Sequence, residues 1–69
     1  MEVGQTYKIK YIYYNTNADV GVLRQKLAKL IFKGKHFYTF EYKSKMGDMI
    51  RVTIDKHDFR RNPSMIQEV

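Results

Sequence analysis

Three stretches of this chain alternate between two kinds of side chain, and that period of two constrains the fold more than any other feature. In Thr6–Tyr14, the residues Tyr7, Ile9, Tyr11 and Tyr13 fall on one face, and Thr6, Lys8 and Lys10 lead the other. In Phe37–Lys43, Tyr38, Phe40 and Tyr42 share one face, against Phe37, Thr39, Glu41 and Lys43. In Asp48–Ile54, Ile50, Val52 and Ile54 point one way, and Met49, Arg51 and Thr53 the other. Successive side chains of a strand point to opposite faces, and aromatic and β-branched residues suit a half-buried pleat. All three stretches are therefore expected strands. The short polar loop Ser44-Lys45-Met46-Gly47 between the last two is a hairpin signal.

Val20–Phe32 supports two readings. As a helix, Val20, Leu23, Leu27, Leu30 and Ile31 cluster on one face, opposite Gln25, Lys26, Lys29 and Lys33. Thr16-Asn17-Ala18-Asp19 resembles a capping box, and Gly34 suits the C-terminal cap. As a strand, Ala28, Leu30 and Phe32 face inward and Lys29 and Lys33 outward, with Lys33-Gly34-Lys35 as a tight turn. Local propensity favours the helix. Packing favours the strand, because five short strands can curl into a barrel that covers its own edges. The alternative is an α+β protein, a β-α-β-β antiparallel sheet with a helix over 17–33.

Beyond the third strand, Asp55-Lys56-His57-Asp58-Phe59 breaks the alternation. Asp55 can cap a tight turn there, with Phe59 plugging the end of the core. Met65–Val69 then reads as a short last strand.

Strand, long irregular loop, three-strand meander, one helical turn and a final strand is the order of an SH3-like small barrel. The chain resembles that architecture over residues 4–69. Val3-Gly4-Gln5-Thr6-Tyr7-Lys8-Ile9 is similar to the opening of many small barrels that bind nucleic acid or ribosomal partners. Ile54-Asp55-Lys56-His57-Asp58-Phe59 is similar to their strand-to-turn closure. The resemblance implies an all-β fold, a single SH3-like five-stranded small barrel, with residues 1–69 forming one small basic domain. The chain also resembles the short basic accessory proteins of phages and mobile elements. Signalling SH3 domains carry tryptophan in their proline-binding groove; this chain has none, which argues against proline-rich ligands. The glycine-centred motif of the KOW barrels is not recognisable either.

At 69 residues the chain makes one domain. Without cysteine it has neither disulfides nor a cysteine-ligated zinc site. The opening MEVGQTYKIK lacks the apolar core of a signal peptide, and no apolar run approaches a membrane span. A cytoplasmic protein with no membrane partner is expected. Asp55, His57 and Asp58 could suggest a metal cluster, but a capped polar turn explains them, and Lys56, Arg60 and Arg61 beside them would repel a cation. His36 reads as a loop residue, and Ser44 and Ser64 have no base nearby in sequence. Gly34 and Gly47 are isolated and open no phosphate-binding loop. The expectation is a non-catalytic protein with no cofactor and no metal.

What remains is charge. Thirteen Lys and Arg against seven Asp and Glu give a formal net charge of +6. Between Thr6 and Lys45 only Asp19 and Glu41 interrupt the positives. In a barrel of this order, the loops Asn15–Val22 and Lys33–His36 and the turn Asp55–Phe59 are expected at one end, with Ser44–Asp48 opposite. That puts Lys33, Lys35, Lys56, Arg60 and Arg61 on one side as candidate phosphate contacts. Lys8, Lys10 and Arg51 follow as a second tier, with Lys29 also pointing outward. Phe37, Tyr13 and Tyr14 are candidates to stack on unpaired bases, although Tyr13 fits the core better. The favoured partner is DNA or RNA, held through backbone phosphates with low sequence specificity. The alternative is a small protein-interaction module, of the kind a phage uses to dock on a host protein, meeting an acidic protein surface.

Overall fold

The computed structural model describes residues 1–14 and 21–69. The side chains of Tyr13 and Tyr14, and the expectations placed on Asn15–Val20, including the capping box, lie outside the described residues. The described chain runs β1 (Thr6–Tyr14), β2 (Gly21–Lys33), β3 (Phe37–Lys43), β4 (Met49–Asp55), α1 (Lys56–Arg61), a 3-10 turn (Pro63–Met65) and β5 (Ile66–Glu68). All five strands join one antiparallel sheet in the order β4-β3-β2-β1-β5.

The alternating segments form strands where their pattern places them, with β4 shifted one residue along. Tyr7, Ile9, Ala28, Leu30, Phe40, Tyr42, Ile54 and Ile66 make the buried core. They all lie on one face of the sheet, which is the face their alternation selects. Two of the core tyrosines keep their hydroxyls bonded, as buried polar tips require. The Glu2 amide donates to the Tyr7 hydroxyl at 2.8 Å, and the Tyr42 hydroxyl meets that of Tyr11 at 2.6 Å.

The alternative helix over 17–33 is not what forms: Gly21–Lys33 is a strand of 13 residues. Its good helix formers lose to pairing on both flanks. Nine of its residues pair with β1, and its C-terminal end pairs with β3. One expectation within the strand reading is also corrected. Leu30 pairs with Phe40 and Phe32 with the next residue back, Thr39, so Ile31 is an extra residue in a β-bulge. The bulge reverses the alternation. Phe32 turns to the outer face, where it is 51% exposed, and Lys33 falls in phase with Tyr38.

The turn after β4 is a short helix. Asp55 is its N-cap, its carboxylate accepting from the His57 amide at 2.7 Å. Phe59 packs edge-on against Tyr38, ring centroids 6.1 Å apart, and Met65 joins it against the core. These residues pack against the core from beyond the end of β4. The expected closure is not seen: β4 and β5 are the two edges and do not pair, so the sheet stays open. Nine of the ten residues between them go into α1 and the 3-10 turn, with Asn62 as the link, and β5 is only three residues long. No helix among the described residues is long and apolar enough to cross a membrane.

Candidate nucleic-acid interface

An antiparallel meander alternates its connections between two ends, and this fixes where the basic residues go. The turn after β2 and the start of α1 share one end, tied by a hydrogen bond of 2.9 Å from the Lys56 amide to the His36 carbonyl. The turn Ser44–Asp48 lies at the other end. So do the last residue of β1, Tyr14, and the first of β2, Gly21. The expected gathering of the first connection with the Lys33–His36 turn is thus corrected. Two consecutive connections of a meander cannot share an end.

Of the candidate phosphate contacts, Lys33, Lys35 and Lys56 come together at the β2–β3 turn. Two of them have internal work. Lys33 donates from Nζ to the Met1 carbonyl at 3.0 Å, and the Lys56 ammonium lies 5.0 Å from the Tyr38 ring centre. Lys35 is exposed in the turn. Arg60 and Arg61 sit in the last turn of α1. Arg61 instead lines an open groove of about 500 Å³ along β1, with Lys10, Ile12, Asp58 and Met65. Arg51 is held by Glu41, Nε to Oε2, at 3.0 Å.

Lys8, Lys10 and Lys29 share the outer face of the sheet, and residues of α1 and the 3-10 turn border that face beside Lys10, Ile12 and Leu23. Phe37 lies on that face too, 39% exposed. The bulge brings Phe32 beside it, with ring centroids 5.7 Å apart and planes tilted by 35°. The turn between them is fitted closely around a glycine: a Cβ on Gly34 would stand 2.8 Å from the Phe32 ring, which would have to move, and 3.0 Å from the Phe37 carbonyl. Phe32 was read as a core residue from the sequence, and no signal in the alternation announces the extra residue at Ile31. The same face also exposes Ile12, Leu23 and Leu27 farther along the β1–β2 hairpin.

Sequence reasoning also missed Arg24 and Lys26, and here a signal existed. With Ala28 and Leu30 inward, a period of two puts Lys26 and Arg24 on the same core-facing side. Both appear there, opposite Ile9 and Tyr11. Lys26 Nζ lies 5.7 Å from the Tyr42 ring centre. Burial, reinforced by the Tyr42 hydroxyl and opposed by the Arg24 guanidinium, pushes the Tyr11 phenol up to about 12.

Comparison with known proteins finds no matching family model, no matching curated protein and no matching solved structure.

Proposed function

We propose that this protein is a non-catalytic module that binds nucleic acid, single-stranded in preference to duplex, on the outer face of its sheet. The observation that carries this reading is the exposed Phe32–Phe37 pair, flanking the turn that carries Lys35. Two half-exposed phenylalanine rings packed at a tilt stabilise little by themselves, but they offer π-faces to unpaired bases. Lys35, Lys29, Lys8 and Lys10 supply sequence-independent attraction for the phosphates of the same strand. The strand order, with a helical turn before β5, supports the finer reading of the fold as an SH3-like small barrel left open at one seam.

The test is a titration of labelled single- and double-stranded oligonucleotides at low salt, repeated as salt is raised. Affinity should be higher for single strands and should fall steeply with salt. Replacing both Phe32 and Phe37 by alanine should weaken single-strand binding by about tenfold or more, since each stacked base contributes about 1–3 kcal/mol. Absence of binding to every oligonucleotide at low salt overturns the proposal.

A second reading rests on Ile12, Leu23 and Leu27, exposed on the hairpin's outer face. Apolar side chains grouped and exposed on one face fit a protein partner. A partner that survives nuclease treatment and moderate salt, and is lost in Leu23→Glu, would favour it.

A further inference from the structure

The concave face of the sheet is not apolar throughout. Beyond the core, toward the Ser44–Asp48 end, β2 directs Arg24 and Lys26 into it. Two adjoining cavities open there, of about 290 and 360 Å³, both lined by Arg24, Tyr42 and Ile50. Neither is lined by α1 or the 3-10 turn, so this end of the concave face is open. The charged groups facing them are Arg24, whose guanidinium also meets the Tyr11 hydroxyl, Lys26 and Lys45, with Asp48 the acid; Arg51 also reaches one rim but is held by Glu41.

The hydroxyls add direction. In the Tyr11–Tyr42 contact one hydroxyl donates to the other, whose own proton is then free to be donated outward. Tyr11 stays protonated at neutral pH, so the pair presents a donor rather than a negative charge. Ser44 Oγ accepts from the Asp48 amide, which leaves its hydroxyl proton free as well. Arg24 and Tyr42 line both cavities, Lys26 one and Tyr11 the other, and cations set beside neutral donors in this way suit a tetrahedral, multiply charged oxyanion better than a carboxylate. Ile50 and Val52 wall the same space with apolar surface.

We infer that this concave end binds a phosphate monoester carried on an apolar or aromatic body. Lys26, Arg24 and the Tyr11–Tyr42 hydroxyl pair would hold the phosphoryl oxygens, and Ile50 and Val52 would meet the organic part. A free mononucleotide and the 5′-phosphate of a nucleic-acid strand share this chemistry. The inference uses none of the outer-face residues and stands or falls separately from the function proposed above.

The test is a two-dimensional amide NMR titration at low salt. The probes are adenosine monophosphate, phenyl phosphate, adenosine, benzoate, and a tetranucleotide with and without its 5′-phosphate. Both phosphate monoesters should give saturable shifts at Tyr11, Arg24, Lys26 and Tyr42, and adenosine and benzoate should not. Lys26→Met, which keeps the aliphatic stem, should weaken binding by about tenfold or more. Tyr11→Phe should weaken it less, and Phe32→Ala/Phe37→Ala should leave it unchanged. A response to the tetranucleotide that needs its 5′-phosphate would assign the site to strand ends, and a response to the free monoesters alone would assign it to small ligands. Shifts spread over the surface lysines without saturation, equal binding of benzoate, or unchanged affinity in Lys26→Met would overturn the inference.

Discussion

Tyr11 has its polar end fixed on the concave face, and its chemistry gives the molecule a measurable alkaline signature. Its phenol is pushed from 10.0 up to about 12, first by burial and then by the Tyr42 hydroxyl. Between those values the folded state holds a proton that the unfolded state has released. Stability must therefore fall as pH rises through that window. Thermal melts of the native protein and of Tyr11→Phe from pH 8 to 12 should show about equal slopes below pH 10 and a shallower decline for the variant above it. Parallel declines would mean that the hydroxyl pair adds nothing to alkaline sensitivity. At this scale the sequence was only partly legible. Tyr7, Ile9, Phe40 and Ile54 announced their burial by alternation, and Asp55 its cap by type and position. Phe32 did not, because Ile31 looks like any other apolar residue until its pairing is known.

Among the elements, β1 and β3 were legible to the residue, since a Tyr/Ile or Tyr/Phe alternation has no competing helical period. β2 was not, because Leu, Arg, Gln, Lys and Ala fit a helix face equally well. Only its place between β1 and β3 decides the matter, and such pairing is not a local property. The helical alternative also hid Lys26 and Arg24, placing Lys26 among solvent-facing lysines when the strand period sends both residues inward. The β3–β4 hairpin depends on a different local feature. The Ser44 amide donates to the Asp48 carbonyl and the Gly47 amide to the Ser44 carbonyl, at 2.8 and 3.0 Å, with Gly47 at φ 91°. That is left-handed backbone, which a side chain resists although nothing lies within ordinary contact of the site except the Lys43 stem. Gly47→Ala should cost about 1–2 kcal/mol in denaturant melts without changing the slope. A neutral result would show that the turn relaxes to another type.

For the whole molecule the decisive quantity is charge held on a small frame. A net charge of +6 over 69 residues repels itself in the compact state. Added salt screens exposed charges over about 10 Å at 0.1 M, so Tm should rise as sodium chloride is added from low ionic strength. A fall would mean that attractive pairs such as Arg51–Glu41 outweigh the repulsion. The same salt that steadies the fold should release a nucleic-acid ligand, so the two measurements have opposite slopes. The barrel expectation met its limit at this scale too: strand order follows from short connections, but closure depends on how much chain is left after the last turn.

The unequal lengths of the strands have a mechanical consequence. The C-terminal end of β2 lies between neighbours: Lys29 pairs with both β1 and β3, and Leu30 meets Phe40 on one side and the backbone of Gly4 and Gln5 on the other. From Gly21 to Ala28 it is paired with β1 alone. β2 is thus a beam clamped at one half and cantilevered at the other, with the Tyr11–Tyr42 hydroxyls as a strut from β1 back to β3. A ligand seated at Lys26 would sit at the root of that cantilever, where a small added stiffness is felt along its whole free length.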